Sequence, residues 1–172
     1  MDFGNYIDND ADLQSQMIQD LKDIIDEVSV LLLTDLREKI KEEVYGAGTP
    51  SAYSRNKLDG GLEGSFDVSD VEALGLTIQS IISQDPLTMV HDPAHFIHGS
   101  NYWEFGNDVR DILSDMIING NTGTPHVGGI FGEGFWTEPR NFWKPFLEIL
   151  DKNGNHYIEE AFQARGIQYT IG

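Results

Sequence analysis

From residue 13 to residue 44 apolar side chains recur every third or fourth position: Leu13, Met17, Leu21, Ile25, Val28, Leu32, Leu36, Ile40 and Val44. That spacing puts them on one face of a helix, and charged residues fill most of the other positions. The run predicts a long amphipathic helix, or two helices with a break near Ser29. Residues 1–12 are polar and acidic and predict a flexible start.

The periodicity then changes. Residues 46–61 hold Gly-Ala-Gly, Thr49-Pro50 and Asp59-Gly60-Gly61, all turn formers, and read as a connector. Residues 62–71 alternate in part through Leu62, Gly64, Phe66 and Val68. Residues 74–82 carry Leu76, Ile78, Ile81 and Ile82, and residues 87–90 follow Pro86. These predict three strands of a small antiparallel sheet, closed by Asp92-Pro93. Residues 91–103 read as an ordered loop.

Helical spacing returns at Val109, Ile112, Leu113, Met116 and Ile117. Asn107 or Asp108 can cap this helix, and Asn119-Gly120 ends it. Residues 119–134 are glycine-rich and predict a loop. Thr137, with Glu138 and Pro139 in the first turn, predicts the start of another helix, carrying Phe142, Trp143, Phe146, Ile149 and Leu150. Asn153-Gly154 is its predicted stop. A last helix of about 157–165 stops at Gly166, and residues 167–171 alternate as a terminal strand. The sum is an α+β fold: a long N-terminal amphipathic helix, a small antiparallel sheet, and C-terminal helices packed on the sheet. One domain over residues 13–172 follows the acidic start at 1–12.

Composition narrows the chemistry. Hydrophobic residues make up 40% of the 172-residue chain, enough for a real core, and there is no cysteine. Disulfides, thiolate catalysis and cysteine-based zinc sites are therefore excluded. The polar N-terminus does not resemble a signal peptide, and the longest apolar run, 30–33, is too short to span a bilayer. The net charge of -18 sets the surface against phosphate backbones and anionic lipids. It also suits the lumen of a ring through which DNA passes without sticking, although many soluble proteins are equally acidic.

Four constellations could carry function. Asp151, Asn153 and Asn155 stand at positions 1, 3 and 5 of an EF-hand-like run, 151–162. Position 6 is His156 where glycine makes the turn, and position 12 is Phe162 where a bidentate glutamate is needed. A calcium-binding module is thus an alternative, set against a polar helix–turn–helix joint. His91, His95 and His98 could hold a zinc ion for a hydrolase, but Pro93 breaks the helix that would align the first two. Their other reading is loop histidines in ordinary hydrogen bonds. Acid pairs abound by chance among 29 Asp and Glu. No P-loop or Gly-x-Ser-x-Gly elbow accompanies them. The fourth is aromatic: Trp136 before Pro139, then Phe142, Trp143 and Phe146 on one broad face, fit for core or for contact. The residues point to no enzyme and no cofactor.

Taken in order, four blocks resemble the neck or tail-completion family of long-tailed bacteriophages. The first is the amphipathic helix into Val44-Tyr45, then Pro50, Tyr53, Arg55, Leu58 and Leu62. The second is Val90-His-Asp-Pro93 with Phe96-Ile-His-Gly-Ser100. The third is Asp108-Val-Arg-Asp-Ile-Leu113 through Ile117, Ile118 and Gly120. The fourth is Phe131-Gly-Glu-Gly-Phe-Trp136, Pro139-Arg140, Phe142 to Phe146, and Phe162 to Gly166-Ile167. Gly46 to Gly48 depart from the pattern, which often has an aromatic residue there. The resemblance implies a virion protein at the head–tail junction, assembled in the host cytoplasm. Its partners would be further copies in a ring, commonly sixfold, and neighbouring head-connector and tail-tube or tail-terminator proteins. DNA would be passing lumen content, and no membrane would be involved. The resemblance marks Tyr53, Arg55, Trp136, Pro139, Arg140, Phe142, Trp143 and Phe146 as core or assembly residues. The glycine-rich loops 46–61 and 119–134 are the segments that would reach neighbours.

Overall fold

The fold is α+β, and the computed structural model describes residues 4–46, 60–75, 77–89, 110–120 and 139–168. Helix α1 spans Gly4–Ile40 without a break at Ser29. It starts at Gly4, where the pattern predicted residue 13, so residues 4–12 belong to the helix and not to a flexible lead. Residues 5–12 contain no proline or glycine, so nothing breaks the helical backbone between Gly4 and Leu13. A wide turn, Lys41–Tyr45, continues α1, and Gly46 N–H donates to Lys41 O at 2.7 Å, five residues back. Gly46 is required there, since a Cβ would stand 2.5 Å from Glu42 O.

The sheet region consists of four three-residue strands: β1 Phe66–Val68, β2 Glu72–Leu74, β3 Thr77–Gln79 and β4 Ile82–Gln84. Strand β1 pairs with β4, and β2 pairs antiparallel with β3, Ala73 opposite Ile78. Gly75, at φ +64°, opens the tight turn between β2 and β3. The strand predicted over 62–71 is shortened to β1, with Glu63–Ser65 in a 3-10 turn before it, and the one predicted over 74–82 is broken at Gly75 and again at residues 80–81, which lie in no strand. The strand predicted over 87–90 is instead a 3-10 turn, Pro86–Thr88. Asp85 causes this: its side chain accepts from Leu87 N–H at 3.0 Å, and Pro86 has the φ a helical turn needs.

Helix α2, Arg110–Asn119, ends where Asn119-Gly120 predicted, with Gly120 at φ +72°. Helix α3 spans Trp143–Ala164 as one element. Its start differs from the predicted Thr137, because Asn141 is the cap that forms: its Oδ1 accepts from Lys144 N–H at 2.9 Å. Its predicted stop at Asn153-Gly154 does not occur. Gly154 is buried and helical, and the separate helix predicted from 157 is the second half of α3. The end at Gly166 is as predicted. Gly166, at φ +67°, donates to Gln163 O at 3.0 Å, and Ile167 N–H donates to Phe162 O at 3.0 Å. That is the paired C-terminal closure in which only glycine is comfortable. Residues 167–168 form no strand, and the rest of the predicted terminal strand, 169–171, lies outside the described residues.

The chain resolves into two compact units, each made of separated segments: residues 1–33, 68–83 and 150–172 in one, 34–67 and 84–149 in the other. The expected single domain over 13–172 thus has an internal subdivision. In the first unit Ile24 and Val28 of α1 and Ala161 of α3 form a buried cluster, with Leu32, Tyr157, Ile158, Phe162 and Ile167 packed around it. In the second, Leu36, Ile40, Val44, Leu62, Phe66, Met89, Ile117, Phe142 and Phe146 are buried. Among the described residues no helix is long and apolar enough to cross a membrane.

Candidate assembly surface

The first unit leaves part of α1 uncovered. Every residue from 11 to 19 is exposed, and the apolar positions among them stand open to solvent: Leu13 is 59% exposed, Met17 55% and Ile18 44%. Leu13 and Met17 continue the face that Ile24 and Val28 bury a few turns later, and Ile18 lies to the side of it. The cover ends because α3 ends: Arg165 Nη1 donates to Glu27 Oε2 at 2.9 Å, Ile167 packs into the cluster, and Gly166 closes the helix. Among these exposed residues Gln16 and Gln19 donate to Asp20 and Asp23 at 2.7 Å each. Neutral amides satisfy those carboxylates without cancelling their charge.

In the second unit the far end of α1 grips the segment that leads into β1. Arg37 donates through Nε to Glu63 O at 3.3 Å and through Nη2 to Phe66 O at 2.9 Å. Tyr45 Oη accepts from Glu63 N–H at 3.2 Å. Lys41 Nζ lies 2.7 Å from Glu38 Oε1 and 3.4 Å from Glu63 Oε1. Glu63 is buried, and its Oε2 has no hydrogen-bond partner, so Lys41 supplies its charge compensation from the more exposed side. Hydrogen bonding to Glu38 holds the Lys41 ammonium above the ordinary lysine range. Lys39 is raised likewise, chiefly by its hydrogen bond to Glu42. Neither helical repeats nor motifs pointed to Arg37, Lys41 and Glu63. The available signal was two cations four residues apart in a helix that until then holds only Lys22.

Of the described residues marked as core or assembly, Arg140 bonds to two other elements. Its N–H donates to Ile117 O at 2.8 Å and its Nη1 to Val44 O at 3.3 Å, tying the ends of α1 and α2 to the approach of α3. Phe142 is fully buried and Phe146 nearly so, whereas Trp143 is half-buried and Pro139 exposed. Phe66 meets Phe142 edge-on, ring centres 6.0 Å apart, and stacks on Trp143 at 6.3 Å, so the start of α3 packs on β1. Trp143 and Phe146 lie 5.3 Å apart. Tyr53, Arg55 and Trp136 lie outside the described residues, as do the loop stretches 47–59 and 121–134.

The candidate calcium ligands are not on a loop. Asp151 and Asn155, four residues apart on α3, share one face of the helix, and Asn153 between them points to the other side. Three oxygens so placed do not converge on one ion as EF-hand ligands do. His91, His95 and His98 lie outside the described residues. Among the described residues no group of three or more His, Asp or Glu is placed to hold a metal ion. No family model, no curated protein and no solved structure matches this chain.

Proposed function

We propose that this protein is a structural subunit of the phage neck or tail-completion ring, joining the head connector to the tail tube and forming part of the DNA passage. One observation carries the reading: large apolar side chains are held on the outside of regular elements. They stand at Leu13 and Met17 of α1, at Leu74 of the hairpin strand β2, and at Leu147 of α3. A helix or strand that exposes such groups gains by covering them with another surface. The four-block resemblance supplies the kind of assembly, and the acidity of the chain suits a passage that DNA traverses without adhering.

The test is the mass and shape of the purified chain. A ring, sixfold in this reading, gives particles of about six times the 19.3 kDa chain with a central opening in electron micrographs. A chain that stays monomeric at every concentration and in the presence of connector and tail-tube proteins overturns the reading.

A further inference from the structure

The uncovered stretch of α1 has a definite partner chemistry, and this inference rests on the assembly reading just given. We infer that residues 11–21 dock into an apolar groove with a lysine- and arginine-rich rim on a different protein, and not onto a second copy of this chain. The arm is already a helix, with a length of about 25 Å from residue 4 to residue 20. Leu13 and Met17, four residues apart, provide anchors for the floor of such a groove in the helix-in-groove mode, and Ile18 adds apolar surface beside Met17.

Charge selects the partner. Between residues 4 and 36 the chain has one cation, Lys22, against eight carboxylates. Asp20 and Asp23 are bonded to glutamine amides, which leave their charge uncompensated towards an approaching surface. Two such arms side by side would juxtapose like charges, in a chain of net charge -18. The cations at the other end of α1 are engaged within their own chain: Arg37 with Glu63 O and Phe66 O, Lys39 with Glu42, Lys41 with Glu38 and Glu63. A basic rim on a foreign protein meets the carboxylates and lets the apolar anchors be buried.

A probe can replace that protein. The probe is a synthetic helix about five turns long, with leucine on one face and lysine on the other, titrated calorimetrically into the full chain. A second peptide, with lysines at the same positions and serine for each leucine, reports charge attraction alone. The leucine–lysine peptide should bind saturably, one per chain. The double variant Leu13→Gln, Met17→Gln should weaken it by about tenfold or more, with helix content unchanged because glutamine is a good helix former. The serine–lysine peptide should show no saturable binding. Equal binding by variant and wild type overturns the inference. So does sedimentation showing that the chain self-associates and that the same double variant abolishes it, which would make a second copy the occupant. A ring that forms while the peptide fails to bind sinks this inference and spares the ring. A chain that binds the peptide and never forms a ring does the reverse.

Discussion

The two ends of α1 share a sequence pattern and have opposite fates. At one end Leu13 and Met17 stand in solvent; at the other Leu36 and Ile40 are wholly buried. The apolar spacing is the same, and what differs is the supply of partners. Towards Leu36 and Ile40 the helix carries Arg37, Lys41 and Tyr45, which bind backbone and carboxylate of the 63–66 segment. Towards Leu13 it carries carboxylates and amides, and α3 has closed at Gly166 before reaching it. Periodicity therefore states which face of a helix can be covered. Side chains that anchor a neighbouring segment decide whether it is.

The sharpest way to break that contrast is to remove the cover at the anchored end. Phe142 is fully buried against Phe66 and Trp143, so Phe142→Ala should cost about 3–5 kcal/mol in denaturant unfolding. Trp143→Ala, at a half-buried position, should cost less than Phe142→Ala in the same experiment. The reverse order would mean that the tryptophan, not the phenylalanine, is the keystone of that cluster.

The clasp comes next. Lys41→Ala leaves the Glu63 carboxylate buried without its compensating charge, and should lower stability in denaturant unfolding, by less than Phe142→Ala does. Adding Glu63→Met removes the need for compensation, so the double variant should recover most of that loss. A double variant as unstable as Lys41→Ala alone would show that the ammonium contributes through Glu38 and not through Glu63.

How much of this was legible depends on whether the signal was local. The long helix, its apolar face, the end of α2 at Gly120 and the end of α3 at Gly166 were readable, because a glycine at positive φ is a local requirement. The burial of Phe142 and Phe146 followed from spacing. The 3-10 turn at Pro86 could have been read from Asp85 with proline after it, a capping signal outweighed by the apolar run behind it. Asn153-Gly154 misled for the opposite reason. It is a frequent helix terminator, but here φ is not positive, and the helix continues because Tyr157, Ile158, Ala161 and Phe162 have α1 to pack on. The calcium-loop resemblance fell with that stop. Arg37, Lys41 and Glu63 were not legible, since their contacts span 22 to 29 residues and no motif encodes them.

Gly154 offers a smaller, stabilising test of the same point. A Cβ there would meet Leu150 Cδ1 at 3.5 Å, an ordinary contact. Gly154→Ala should therefore raise stability by up to about 1 kcal/mol, the usual helix preference for alanine over glycine. A loss would mean that this stretch leaves helical geometry, as a terminator or a calcium loop would require.

The smallest effect on folding is expected at the open end of α1. Leu13→Ala and Met17→Ala remove side chains that are more than half exposed, and each should change unfolding stability by no more than about 0.5 kcal/mol. The same truncation at Leu36, wholly buried on the same helix, should cost about 2–5 kcal/mol. That ratio follows from the contrast between the two ends, and it gives the contrast a measurable form. Were Leu13→Ala to cost as much as Leu36→Ala, the first turns of α1 would be part of the folded core of the isolated chain.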